Sequence, residues 1–223
     1  MPLVSDKVRS GFVGRLFSLG VRCLPALAII VVSLAAALAL SLSLGEGALA
    51  YTQEGGIVEN LTVVVYALVV LGAVALTLRG NKAAGLVGLL ALLMGLREMD
   101  AHKAFTTYGV FKTRLYVSPD VPLAEKLIAG LVIIALLVLV VLAIRRAWRT
   151  LATGASNAGP TLLALGGFGV FLKEVDGIPR QLTKMGHALN SDLLAISKAV
   201  EEVGELGLPF LLGLALIQLL RRP

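Results

Sequence analysis

The chain has 223 residues, of which 57% are hydrophobic and only 15% are charged. Soluble domains are about 45–50% apolar and about 25% charged, so this composition excludes an ordinary soluble domain and predicts an all-α, multi-pass membrane protein. The net charge of +6 does not predict a nucleic-acid partner, because the basic residues lie between apolar runs. A single cysteine, Cys23, excludes a disulfide framework and a cysteine-based metal cluster.

The chain begins with a mixed segment and continues as a series of apolar runs. Residues 1–22 combine hydrophobic and basic side chains, which predicts a cytoplasmic amphipathic helix on the inner leaflet. The alternative is a basic tail that only helps to set topology. Residues 23–223 are interpreted as one six-helix transmembrane domain. Its runs are long enough, or nearly so, to cross a bilayer, and they lie at about 24–44, 57–78, 83–104, 123–144, 157–177 and 201–220.

Charged residues are divided unequally between the two sides that these spans define. One side holds eleven basic residues and one acidic residue, whereas the other holds nine basic and thirteen acidic residues. Because Lys and Arg are enriched in cytoplasmic loops, we predict that both termini are cytoplasmic. The expected location is the cell inner (plasma) membrane, with membrane lipids as partners.

Two of the predicted spans are too short unless charged residues enter the membrane. The uncharged residues 83–96 cover about 21 Å of a hydrocarbon core about 30 Å thick. Completing this crossing carries the third span through Lys103 and places Glu98 below the outer surface. In the sixth span, residues 206–220 cover about 22 Å, so Glu202 and Glu205 are drawn into the outer half of the membrane.

A pentad of the pattern Leu-basic-Glu-apolar-Asp occurs twice, as LREMD at 96–100 and as LKEVD at 172–176. The repetition indicates either an internal repeat of a helical hairpin, as in many transporters, or a coincidence. A carboxylate facing hydrocarbon is costly. We therefore expect the acidic residues of both pentads to share one polar cavity, open to the outer side, with those of the second and sixth spans.

The predicted cavity supplies carboxylates and one imidazole. Glu98 and His102 are four residues apart, which places them on the same face of a continuous helix. Carboxylates with an imidazole suit a divalent metal such as Zn, Mn or Fe. The predicted catalytic residues are Glu98, His102, Glu174 and Asp176, and the predicted metal ligands are Glu59, Glu98, His102, Glu202 and Glu205.

Three functions are consistent with such a cavity. The first, which we favour from sequence, is a metal-dependent hydrolase or transferase that acts on a lipid or other amphiphile at the outer leaflet, with a Glu–His acid–base pair as its metal-free version. The second is a proton- or cation-coupled transporter or channel, which the apolar inner halves of the spans disfavour. The third is a structural subunit in which basic residues such as Arg97 and Lys173 neutralise the acids.

Overall fold

The structure is a computed structural model in which every regular element of the described residues is helical, so the all-α prediction is confirmed. It describes residues 3–53, 55–103, 106–153, 156–186 and 190–220, without the side chains of residues 3–19, 46 and 102. The α-helices are α1 (Leu3–Leu44), α2 (Leu49–Thr52), α3 (Ile57–Leu78), α4 (Lys82–Glu98), α5 (Thr113–Val117), α6 (Leu123–Thr153), α7 (Ala158–Lys184) and α8 (Ser191–Leu220).

Four stretches of the described chain are long and apolar enough to cross a membrane. They are Gly20–Leu44, Leu49–Leu78, Leu123–Thr153 and Ser191–Leu220, and they contain the first, second, fourth and sixth predicted spans. The third and fifth predicted spans correspond to α4 and α7. The first of these has only 17 residues, and the second carries charged residues in its C-terminal half. The six-span count therefore stays a prediction.

The helix boundaries agree with the predicted spans in part. The predicted span 57–78 coincides with α3 at both ends, but α6, α7 and α8 are each longer than predicted. The first span is part of α1, which runs without a break from Leu3 to Leu44 and contains Pro25. Residues 3–22 therefore continue into the first span, and their position on the inner leaflet stays a prediction.

The predicted continuation of the third span through Lys103 is wrong, because α4 ends at Glu98. The N–H groups of Met99 and Asp100 close the last turn onto carbonyl oxygens of that turn, at 3.1 and 3.0 Å. Asp100 then adopts a φ of 50°, in the left-handed region that commonly ends helices, and a 3₁₀ turn follows at Ala101–Lys103. The short third span is therefore not completed by further α-helix.

The most buried helix is α8, which packs against α1, α3, α4 and α7. Glycines allow the closest of these approaches. A Cβ added at Gly204 would lie 2.3 Å from Cδ2 of Leu172 on α7, and one added at Gly207 would lie 2.5 Å from Oγ of Ser33 on α1. Close packing at these positions holds the N-terminal half of α8 against its neighbours, and this half carries most of the charged residues considered below.

Two hydrogen bonds define one end of the helix bundle. Asn81, in the turn between α3 and α4, donates from Nδ2 to the carbonyl oxygen of Leu219 at 3.3 Å. Thr161 Oγ1, near the start of α7, donates to Gln218 Oε1 at 2.8 Å. The end of α8 thus meets the α3–α4 turn and the start of α7. The opposite end, at which α3 begins and α4 ends, is called the cleft end below.

Candidate functional site

A charged cleft with a volume of about 470 Å³ lies at the cleft end of the bundle. Six acidic and three basic residues form its lining, together with one aromatic residue. The lining residues are Glu59, Arg97, Glu98, Asp100, Phe111, Lys173, Lys198, Glu201, Glu202 and Glu205. The acidic residues outnumber the basic ones, and one of them, Asp100, also pairs with Lys103, a basic residue outside the lining.

One face of α8 contributes four of these lining residues. Lys198, Glu201, Glu202 and Glu205 are spaced by three or four positions, and residues at this spacing are neighbours on a helix surface. The glutamates are buried, although glutamate is rarely buried unless it is paired. The basic side chains that pair with these glutamates come from α8 itself and from α4 and α7.

Glu205 is the point at which α4, α7 and α8 meet through charge. Arg97 on α4 donates from Nη2 to Oε1 of Glu205 at 2.6 Å. Lys173 on α7 places its Nζ 3.4 Å from the same oxygen. A buried carboxylate is stable only when such partners compensate the loss of hydration. These two contacts therefore fix both neighbouring helices to α8 at the level of the cleft.

A second group of ion pairs lies one turn earlier on α8. Lys198 Nζ is 3.0 Å from Glu201 Oε2 and 2.8 Å from Glu202 Oε1. Lys173 Nζ is also 3.2 Å from Glu201 Oε1, so this lysine links both groups of ion pairs. The arrangement supports the salt-bridge network of the third sequence hypothesis, with Lys198 as an additional member.

Glu98 is the least satisfied carboxylate of the cleft. Its side chain is 6% exposed, and its Oε1 lies 3.3 Å from Arg97 Nη2. Among the described residues, this oxygen has no hydrogen-bond partner, and neither does the hydroxyl of Tyr66, a residue that is 1% exposed. Tyr66 is close enough to Glu98 and Glu205 to interact with them electrostatically. Buried polar atoms without hydrogen-bond partners are rare in native proteins, and of these two residues only Glu98 lines the cleft. Its Oε1 is therefore the place in the cleft at which a ligand or water would supply a hydrogen bond.

The structure brings together some of the residues predicted from sequence and not others. Glu59, Glu98, Glu202 and Glu205 line one cleft, and Glu59 also accepts a hydrogen bond from the N–H of Gly55 at 2.6 Å. The other two predicted carboxylates belong to the second pentad and do not line this cleft. Of these, Glu174 is exposed to solvent, and Asp176 pairs with Arg180 on its own helix.

The side chain of His102 lies outside the described residues. The backbone nevertheless changes its predicted relation to Glu98, because α4 ends at Glu98 and His102 lies in the 3₁₀ turn that follows. The two residues are therefore not on one face of a continuous α-helix, and that part of the prediction is wrong. The role of the imidazole as a ligand or as an acid–base group stays a prediction.

Lys198 and Glu201 line the cleft, and Tyr66 is buried within electrostatic range of Glu98, although the pattern of the sequence did not assign these three residues to the site. The first two could have been found from their spacing, since both lie on the α8 face that contains Glu202 and Glu205. Tyr66 gave no such signal. It lies in the middle of an apolar run, where an aromatic side chain is usually part of the core.

No group of three or more His, Cys, Asp or Glu side chains is arranged to hold a metal ion within the part of the chain that the structure describes. Arg97 lies between Glu98 on α4 and Glu205 on α8, with its Nη2 3.3 and 2.6 Å from their Oε1 atoms. The predicted ligand set included His102, so a Zn, Mn or Fe site stays a prediction. Comparison with family models, with curated proteins and with solved structures finds no match for this chain.

Proposed function

We propose that this chain is a multi-pass protein of the cell inner membrane that binds a cationic group in the charged cleft from the outer side. The proposal includes six transmembrane helices and cytoplasmic termini. Its topology is supported by the unequal charge distribution, because Arg79 and Lys82 flank the turn at the end opposite the cleft. The cleft then opens towards the outer leaflet.

The observation that carries the proposal is the excess of acidic residues around a carboxylate oxygen without a hydrogen-bond partner. The lining contains six acidic and three basic residues, and the buried Glu98 Oε1 faces Arg97 at 3.3 Å but has no hydrogen-bond partner among the described residues. A bound cationic donor would balance part of this charge and supply the missing hydrogen bond. A buried carboxylate lies in surroundings of low dielectric, where an electrostatic contact is stronger than the same contact at the surface. A cationic donor that reaches this oxygen would also offset the cost of removing the carboxylate from water.

The interior of the bundle favours a one-sided site over a path across the membrane. Below the cleft, the largest core cluster consists of buried hydrophobic side chains, including Val87 on α4 and Leu211 and Leu212 on α8. Charged groups within membrane proteins normally mark the route of an ion. The described interior offers no comparable series of charged side chains between the cleft and the opposite end. This arrangement supports binding rather than transport.

Equilibrium binding of butylammonium to the purified protein tests the proposal, with Glu98→Gln and Glu174→Gln as matched variants. Both substitutions remove one negative charge from the same pentad position, but only Glu98 lines the cleft. We expect Glu98→Gln to weaken binding by about tenfold or more, whereas Glu174→Gln binds like the unmodified chain. Equal affinity in all three proteins, or no binding to any of them, would contradict the proposal.

The same preparation distinguishes the metal-dependent hypothesis. Titration with Zn, Mn and Fe is followed in the unmodified chain and in the His102→Ala variant. Tight stoichiometric metal binding that is lost in His102→Ala would favour the hydrolase or transferase, because the imidazole is the ligand that distinguishes that set. Under the present proposal, we expect His102→Ala to leave metal binding unchanged and weak.

A further inference from the structure

An apolar groove lies beside the charged cleft, between α4, α6 and α7. Its volume is about 440 Å³, and almost all of its lining is hydrophobic. Leu90 and Met94 line it from α4, Leu139 from α6, and Leu162 and Gly166 from α7. Along α6 it extends from Leu136 to Ala147, a distance of about 16 Å at the rise of a helix. The groove is long enough, and has volume enough, to hold a single alkyl chain.

The groove and the charged cleft adjoin one another at Arg97 and Phe111, which line both. An apolar groove that opens at a charged cleft is the shape expected for the binding site of an amphiphile, whose apolar tail and charged head group need different surroundings. The charge of the cleft then selects the head group. The lining has six acidic residues against three basic ones, and Glu98 Oε1 has no hydrogen-bond partner among the described residues. Both features favour a positively charged hydrogen-bond donor.

We infer that the ligand of this protein is a single-chain amphiphile with an ammonium head group, bound with its head in the charged cleft and its alkyl chain in the groove. The inference rests on the proposed function, since it names the class of cation that the cleft binds.

Neighbouring glycines on α7 provide a matched pair of variants. Added Cβ atoms at Gly166 and at Gly167 would both meet nothing within 4 Å, so each position accepts a larger side chain. Gly166 lines the groove, whereas Gly167 does not. Gly166→Leu therefore fills the space that we assign to the alkyl chain. Gly167→Leu adds the same side chain to the same helix and leaves the groove open.

The test compares the binding of butylammonium and dodecylammonium to the protein in phosphatidylcholine nanodiscs, corrected for partition into empty nanodiscs. Dodecanol is the uncharged control. We expect dodecylammonium to bind about tenfold or more tightly than butylammonium to the unmodified chain and to Gly167→Leu. In Gly166→Leu this advantage is lost while butylammonium binding remains, which also shows that the variant is folded. We expect dodecanol not to bind in the cleft.

The possible failures are distinguishable. If butylammonium and dodecylammonium bind equally to the unmodified chain, or if Gly166→Leu and Gly167→Leu behave alike, the alkyl-chain assignment is wrong and the cation-binding proposal stands. If dodecanol competes as well as dodecylammonium, the head-group assignment fails, while butylammonium binding that depends on Glu98 would still support the cation-binding proposal. If Glu98→Gln changes neither ammonium affinity, the head-group assignment and the cation-binding proposal both fail.

Discussion

The pentads LREMD at 96–100 and LKEVD at 172–176 have the same chemical pattern, but they lie differently against α8. Their basic residues behave alike, because Arg97 and Lys173 both reach Oε1 of Glu205. Their glutamates do not, because Glu98 is buried in the cleft and Glu174 is exposed. Long basic side chains can turn towards a common partner from different positions, whereas a glutamate lies close to its own helix face.

Helical phase explains the difference. In α4 the buried residues near the pentad are Ala91, Gly95 and Glu98, so the third residue of the pentad faces the core. In α7 the buried residues near the pentad are Leu165, Phe168 and Leu172, so there the first residue of the pentad faces the core. A shift of two residues turns a helix by about 200°. The pentads are therefore not equivalent in structure, which does not favour an internal repeat.

The largest expected effect comes from Glu205, the carboxylate that the basic residues of both pentads contact. Glu205→Gln leaves Arg97 and Lys173 without their common partner. Loss of one member of a buried ion pair costs about 3–5 kcal/mol, and both cations are partly exposed and can turn to water. We therefore expect the free energy of unfolding in detergent micelles to fall by about 2–3 kcal/mol. Glu174→Gln is the matched control, and we expect a change within about 0.5 kcal/mol. Similar losses in both variants would mean that the contacts of Arg97 and Lys173 with Glu205 contribute no more to stability than an exposed carboxylate does.

A smaller effect on stability is expected from the packing of Leu172, the first residue of the second pentad, against α8. Leu172 is buried against Gly204, where an added Cβ would lie 2.3 Å from Cδ2 of the leucine. Gly204→Ala should lower the free energy of unfolding by about 1–3 kcal/mol, because the leucine must move. Gly167→Ala is its control, since that position is open, and replacing a helical glycine by alanine stabilises by about 0.5–1 kcal/mol. If Gly204→Ala stabilised the protein as much as Gly167→Ala does, the close approach of α7 to α8 would be wrong.

The amount and periodicity of apolar residues were sufficient to predict an all-α protein and the bounds of α3. The end of α4 was not predictable from span length, because that estimate assumed a continuous helix. Whether a chain stays helical beyond Glu98 depends on the backbone of Asp100, which adopts a positive φ. Asp is among the few residues that tolerate this conformation, but a single Asp does not predict it.

The site residues that could be predicted are the charged ones whose depth in the membrane follows from the length of their span. Glu98, Glu202 and Glu205 were assigned from the shortness of their spans, and all three line the cleft. Glu174 was assigned from the repeated pattern alone, and pattern does not fix helical phase. Tyr66 was not assigned, because its role depends on tertiary neighbours on α4 and α8 rather than on its own surroundings in sequence.

The last residues of the pentads give the smallest expected difference. Asp100 has a φ of 50° and pairs with Lys103 at 2.5 Å, whereas Asp176 is inside α7 and pairs with Arg180 one turn later. Asp100→Ala should lower the free energy of unfolding by about 1 kcal/mol, because alanine is strained in the left-handed region. Asp176→Ala should change it by no more than about 0.5 kcal/mol, which is typical of an exposed pair one turn apart.

Replacement by glycine separates backbone from charge at the first of these positions. Asp100→Gly removes the same carboxylate as Asp100→Ala but accepts a positive φ without strain. If the backbone dominates, the glycine variant unfolds within about 0.5 kcal/mol of the unmodified chain, and only the alanine variant is weakened. If both variants lose the same amount, the ion pair with Lys103 is responsible. The end of α4 would then depend on charge rather than on the backbone of Asp100.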